Sequence, residues 1–120
     1  MKTFRDLLVW QKSMNFVTEI YKTSKQFPKD ENFGLTSQIR RSAVSIPSNI
    51  SEGYGREGMK DYLRFLNIAM ASLFELQTQS EIAYNLEYIK KEKFDNLYEL
   101  SREIERMLSS FIRTIKSRKT

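Results

Sequence analysis

The chain has 120 residues, enough for one domain with a modest core, and its 20 basic and 15 acidic side chains give a formal net charge of +5. It contains no cysteine and no histidine, which excludes disulfides and thiolate chemistry and removes the commonest general base and the commonest metal ligand. No run reaches the ~18 apolar residues of a membrane span, and the opening MKTFRDLLVWQKS carries Arg5, Asp6 and Lys12, unlike a secretion signal, so a cytoplasmic protein is expected.

Four helices are predicted, over about 4–26, 31–55, 59–87 and 91–117, forming a single all-α domain over 1–120 with an up-down-up-down four-helix-bundle topology. Thr3 followed by Asp6 reads as a capping box opening the first helix. Leu7, Trp10, Met14, Val17, Tyr21 and Ser24 recur at heptad spacing and mark its expected core face. Phe27-Pro28 closes it, because the residue before a proline avoids the α region. Lys29 to Asn32 then reads as a loop, with Asp30 a candidate N-cap for the second helix.

The second helix carries an apolar stripe of Leu35, Ile39, Ala43, Ile46, Ile50 and Tyr54, and beside it a polar stripe of Gln38, Arg41, Ser45, Ser48 and Glu52. Pro47 sits in the middle of both. Local rules end a helix at an interior proline, at a cost of roughly 3 kcal/mol. The apolar stripe keeps its phase across Pro47, so one long helix with a kink there is expected. Ser42, Ser45 and Ser48 are the candidates to bond the carbonyl that the proline leaves unpaired. Gly53, Gly55 and Gly58 are expected to break the helix. They match GxGxxG by letter, but a dinucleotide site needs a preceding strand, and none is predicted.

The third helix has a core face of Tyr62, Leu66, Ala69, Leu73, Leu76, Ser80 and Ala83. Its segment from Phe65 to Ser80 holds one charge, Glu75, in sixteen residues. A water-facing bundle helix normally shows a charged face, whereas subunit contacts lose charge and keep Phe and Met. Phe65, Ile68, Met70 and Phe74 are therefore the candidate oligomer interface. The competing reading treats Asn67, Gln77, Thr78 and Gln79 as a mild solvent face. Ile89 and Lys90 make a short connection to the fourth helix, whose seam is Phe94, Leu97, Ser101, Ile104, Leu108, Phe111 and Ile115.

Residues 106–120 hold five basic side chains and no acid, so the rest of the chain sums to zero charge. A basic helix end either complements the helix dipole or attracts phosphate backbones. Arg56, Lys60 and Arg64 form a second basic ridge at four-residue spacing. With Arg40, Arg113, Lys116, Arg118 and Lys119 they are the candidate nucleic-acid contacts. Gln38, Arg41, Asn49, Glu52 and Glu75 are read as a structural polar layer, with Glu75 a candidate partner for Arg41, since buried charges are paired. Glu52 with Glu75 as a hydrolytic carboxylate pair is the weaker alternative, with no recognisable metal spacing beside it. No catalytic residue, metal or cofactor is assigned.

Taken together, LLVWQKSM, FPKDENFGLTSQIRRSAVSIPSNISEGYGR and YLRFLNIAMASLFELQTQ resemble the bacterial four-helix-bundle proteins encoded by intervening sequences within 23S ribosomal RNA genes. The accessory variability determinant of diversity-generating retroelements is a related branch. The matching positions are Trp10, Gln11, Gln38, Arg41, Pro47, Asn49, Glu52, Gly53, Gly55, Arg56 and Glu75; Gly58 and Ala71 depart from the usual serine and glycine. The resemblance implies a ring-forming homo-oligomer, usually a pentamer, in the cytoplasm, with an undefined association with RNA or DNA and no catalytic residues to carry over. Two readings follow: a non-enzymatic oligomeric bundle on nucleic acid, or a ring-shaped adaptor that binds another protein.

Overall fold

The computed structural model describes residues 3–118. Among them are helices α1 (Leu8–Ser24), α2 (Leu35–Tyr54), α3 (Met59–Asn85) and α4 (Lys91–Ser117), single 3-10 turns at Phe4–Asp6 and Lys29–Glu31, and no strand. Each helix buries one apolar stripe. In α4 it is Leu97, Ile104, Leu108, Ile112 and Ile115; in α3 it is Leu66, Ala69, Leu73, Leu76 and Ala83. Leu66, Leu73, Leu76 and Leu108 are wholly inaccessible to solvent, each stabilising the fold by about 1.5–3 kcal/mol through burial. α2 packs against α3 and α1, and α4 closes the core against α3 and α1. The molecule measures 49 × 25 × 21 Å.

Several expectations change at the level of local structure. The Thr3–Asp6 capping box forms, with Arg5 N–H donating to Thr3 Oγ1 and Thr3 N–H to Asp6 Oδ2, but it caps the 3-10 turn rather than a continuous helix over 4–26. Extended Leu7 separates the two. The buried stripe of α1 is Val9, Ser13, Phe16, Ile20 and Thr23. The heptad Leu7–Trp10–Met14–Val17–Tyr21 is equally apolar but sits about a quarter turn away, leaving Met14 and Tyr21 exposed. α1 carries two adjacent apolar stripes, and periodicity alone does not rank them.

α2 starts at Leu35, not near 31, and Asp30 does not cap it. Glu31 does so from the preceding turn, its Oε1 accepting Leu35 N–H at 3.0 Å. Pro47 lies inside the helix, as the unbroken apolar stripe required. The serines act elsewhere: Ser42 donates to Gln38 O, and Ser45 bonds Ser72. Gly53 is not a breaker but a buried residue of the last turn. A Cβ there would lie 2.9 Å from Phe65 Cβ and 3.0 Å from Tyr62 Cδ1, so α2 and α3 meet where only glycine fits.

α3 ends at Asn85 in a Schellman arrangement. Tyr88 N–H reaches Ala83 O, Glu87 N–H reaches Tyr84 O, and Glu87 takes φ 65° where glycine is usual. This turn aims Tyr88 at the α1–α2 loop. Its hydroxyl donates to Glu31 Oε2 at 2.8 Å, and its ring packs on Phe27 at 5.5 Å.

Candidate nucleic-acid interface

The four-residue turn between α2 and α3 and the C-terminal turns of α4 meet at one end of the molecule. Gly53 allows the close approach that starts this arrangement. Tyr62, one turn into α3, then packs edge-on against Tyr54 of α2 at 6.4 Å and against Phe111 of α4 at 5.8 Å. Burial pushes the Tyr62 hydroxyl up to about 12, the adjacent Tyr54 adds to this, and Arg118 works the other way. Arg118 at the end of α4 is thus an electrostatic neighbour of the α2–α3 turn.

Exposed Arg56, Lys60 and Arg64 lie on the α2–α3 turn and the start of α3, and exposed Arg113, Lys116 and Arg118 lie on the last turns of α4 at the same end of the molecule. Two are fixed in place. The guanidiniums of Arg56 and Arg64 lie 4.8 and 4.5 Å from the centroid of the same Phe65 ring, each contact worth ~0.5–1 kcal/mol when exposed. Arg64 also lies 3.7 Å from Asp61. Glu52, Glu57 and Asp61 are the acids beside them, so the six basic side chains keep a surplus of three. Planar guanidiniums held against a ring are arranged for bidentate phosphate contact.

The two basic groups separated in the sequence therefore share one end of the molecule, with two exceptions. Lys119 lies outside the described residues. Arg40 sits sixteen residues before Arg56, about 24 Å along α2. It braces α1: its Nε donates to Ser24 Oγ at 2.8 Å, Nη2 to Tyr21 O at 3.4 Å, and the guanidinium lies 4.7 Å over the Tyr21 ring.

The other candidate sets are placed as follows. Phe65 is buried within its own chain beneath the two arginines, and Met70 packs against the core. Ile68 and Phe74 are exposed, six residues apart and so about 120° apart around the helix. Of the polar layer, Asn49 is half-buried and donates to Ser45 O and Ser45 Oγ, extending the Ser45–Ser72 bond into a small network. Gln38, Arg41, Glu52 and Glu75 are exposed. Among the described residues none of Arg41, Glu52 and Glu75 makes an ion pair; Glu75 accepts a bond from Gln79 at 3.3 Å. Sequence reasoning missed the second polar bridge, in which Gln77 Nε2 donates to Ser101 Oγ and Glu105 Oε1. It also missed Phe65 as a platform, because one of the ring's partners, Arg56, reaches it from the α2–α3 turn. Among the described residues no three acidic side chains cluster so as to hold a metal ion, and no helix is long and apolar enough to cross a membrane.

Fold and surface define a small four-helix protein whose distinctive feature is a basic cluster at one end. The chain belongs to the 23S rRNA-intervening sequence protein family, which matches residues 5–110. A solved structure from Bacteroides thetaiotaomicron VPI-5482, a protein of unknown function from the S23 ribosomal protein family, is 31% identical with a TM-score of 0.82, covering 88% of this chain and 96% of that one. No curated protein matches the chain.

Proposed function

We propose that this protein is a non-enzymatic assembly of several copies that associates with RNA or DNA through the basic end of each copy. In this reading the helices alternate in direction, α2 bends at Pro47, and copies close into a cytoplasmic ring, five being the favoured number. One observation carries it: the α2–α3 turn, with Arg56 and Arg64 over Phe65, and the basic end of α4, joined to it through Tyr62 and Phe111, lie at one end of the molecule, where six basic side chains face three acids, Glu52, Glu57 and Asp61. A single copy offers few phosphate contacts. A ring presents the same patch several times on one rigid frame, which multiplies avidity without any new contact.

Binding by phosphate contacts has a signature in salt. With about four contacts engaged, affinity for a duplex should fall roughly a hundredfold between about 50 and 200 mM salt. Titrating labelled RNA and DNA oligonucleotides across that series measures the slope, and a flat response rejects the mechanism. Comparing the two polymers separates RNA from DNA.

A second reading, the ring as an adaptor for another protein, has its own support. Phe33 is fully exposed on a turn fixed by Glu31 and Tyr88, and a rigid exposed aromatic suits a protein partner's pocket. It calls for co-purification of one specific polypeptide, with no retained nucleic acid at moderate salt.

A further inference from the structure

Two surfaces of this chain are unexplained by its own packing, and their shapes and charges match. The first is a groove between α1 and α2, the consequence of the second apolar stripe on α1. Trp10, Met14 and Val17 line one wall, Val44 and Pro47 the other, with Phe4 and Arg5 of the opening 3-10 turn beside them, around about 360 Å³. That is at the small end of ligand pockets, roughly 300–1,000 Å³, and the groove is open along its length. Its outer α2 rim continues one turn back to Arg41, exposed and without an ion pair among the described residues. The second is the outer face of α3, where exposed Ile68, Ala71 and Phe74 form a ridge, a row at three-residue spacing that slants across about 120° of the helix, with Glu75, the one charge in sixteen residues, one turn from Ala71.

Groove and ridge lie at the same height. Ser45 meets Ser72 at 2.8 Å, and nearer the turn Gly53 meets Tyr62 and Phe65. Moving one turn from Ser45 away from the α2–α3 turn reaches Arg41, and the same move from Ser72 reaches Glu75 and Leu76. Val44 and Pro47 are likewise level with the stretch from Ile68 to Phe74. A rotation about an axis parallel to the helices, which changes no heights, therefore carries the ridge of one copy to the level of the groove of the next.

We infer that the α1–α2 groove is occupied by a second copy of this chain, which seats the α3 ridge of Ile68, Ala71 and Phe74 there and sets its Glu75 opposite Arg41. The complementarity is one of charge as well as shape: two arginines, Arg5 and Arg41, border the groove, and a lone glutamate borders the ridge. The contact is heterologous, using different patches on the two copies, and such contacts close into rings when the rotation allows. Apolar walls and small side chains around one shielded ion pair match the charge-depleted centre of a subunit contact. This inference rests on the ring reading above and specifies which faces build it.

The absence of native cysteine makes the test clean. Met14→Cys and Phe74→Cys are made singly and together, and treated with a short bis-maleimide while mass in solution is followed by light scattering. The double variant should give a ladder of covalent multimers, while neither single variant links to itself. Self-linking by one single variant would mean that like faces meet, and overturns the inference. So does an assembling double variant that gives no ladder, which leaves the ring itself standing. A wild-type chain that stays at the 14.3 kDa of one copy sinks both, and points the groove at a different partner. Charge reversal is the second arm: Arg41→Glu should drop the mass to that of one copy, and Arg41→Glu with Glu75→Arg should restore it. If Arg41→Glu lowers thermal stability with the mass unchanged, Arg41 and Glu75 act within one chain, and the inference is wrong.

Discussion

The two ends of α2 face opposite electrostatic situations. At the N-terminal end, polar groups are satisfied from within. Glu31 takes Leu35 N–H and the Tyr88 hydroxyl, and nearby Lys93 reaches Glu19 at 3.0 Å and Lys91 reaches Asp95 at 2.8 Å. At the C-terminal end Arg56 and Arg64 lean on the Phe65 ring, only Arg64 with an acid, Asp61, beside it at 3.7 Å, and Lys60, Lys116 and Arg118 add charge of the same sign. One end is closed on itself, and the other keeps an uncompensated surplus. The difference teaches that the chain's modest net charge matters through its placement: lysines balanced by acids serve the fold, and unbalanced arginines are free for an external anion.

The largest break in that contrast should come from Gly53→Ala. The added Cβ meets Phe65 Cβ and Tyr62 Cδ1, both anchored in the α3 side of the core, so the helices must part at the base of the basic end. Overpacking of this kind costs about 1–3 kcal/mol, measurable as a lowered midpoint of chemical unfolding. Gly58→Ala is the control, since a Cβ there meets nothing within 4 Å.

A smaller effect tests the ends against each other. Replacing Arg56 and Arg64 by Gln should lower nucleic-acid affinity and reduce the salt slope by about one for each phosphate that is no longer neutralised. Replacing Lys29 and Lys90 by Gln at the closed end should leave both unchanged, although it removes the same charge. Equal weakening by the two double variants, in the same salt titration, would make the binding a matter of net charge and erase the distinction between the ends.

How much of this was legible depended on the kind of signal. The core faces of α3 and α4 were readable because an unbroken seam at three- and four-residue steps runs along each, so Leu66, Leu73, Leu97 and Leu108 fall where spacing puts them. α1 carries two stripes, and the choice between Phe16 with Ile20 and Met14 with Tyr21 is made by partners on α2 and α4 that lie far off in sequence. Pro47 was readable as interior because the stripe held its phase. Gly53 was not readable as a contact point, since a glycine near a helix end looks like a terminator whether or not something approaches it. The candidate site was half legible: the arginines and lysines were visible, but Phe65 beneath two of them and Tyr62 between three helices are products of the turn's tertiary geometry. The separation of Arg40 from the group follows from distance along α2, which spacing does show, and from its bonds to Ser24 and Tyr21, which it does not.

The smallest effect belongs to the closed end and should appear only in acid. Leu35 N–H and, next, the Tyr88 hydroxyl hold the Glu31 carboxyl below the usual carboxylate range. A carboxyl with a depressed native value binds protons more readily in the unfolded chain, so its contribution to stability is complete above the unfolded value, about 4.3. It is lost as pH falls through the lower native value. Glu19 adds in the same direction, through its hydrogen bond and charge contact with Lys93. Tyr88→Phe removes one of the two donors to Glu31 and keeps the ring on Phe27. It should therefore bring the native and unfolded values closer, with the Leu35 N–H bond still holding part of the shift, and make the acid limb of a stability–pH profile shallower. Because Glu31 is only half-buried, screening keeps the effect small, and near neutrality the variant loses only one part-buried hydrogen bond. An acid limb as steep as that of the wild type would show that the Tyr88–Glu31 bond does not hold the turn, and that the Glu31–Leu35 cap alone sets the start of α2.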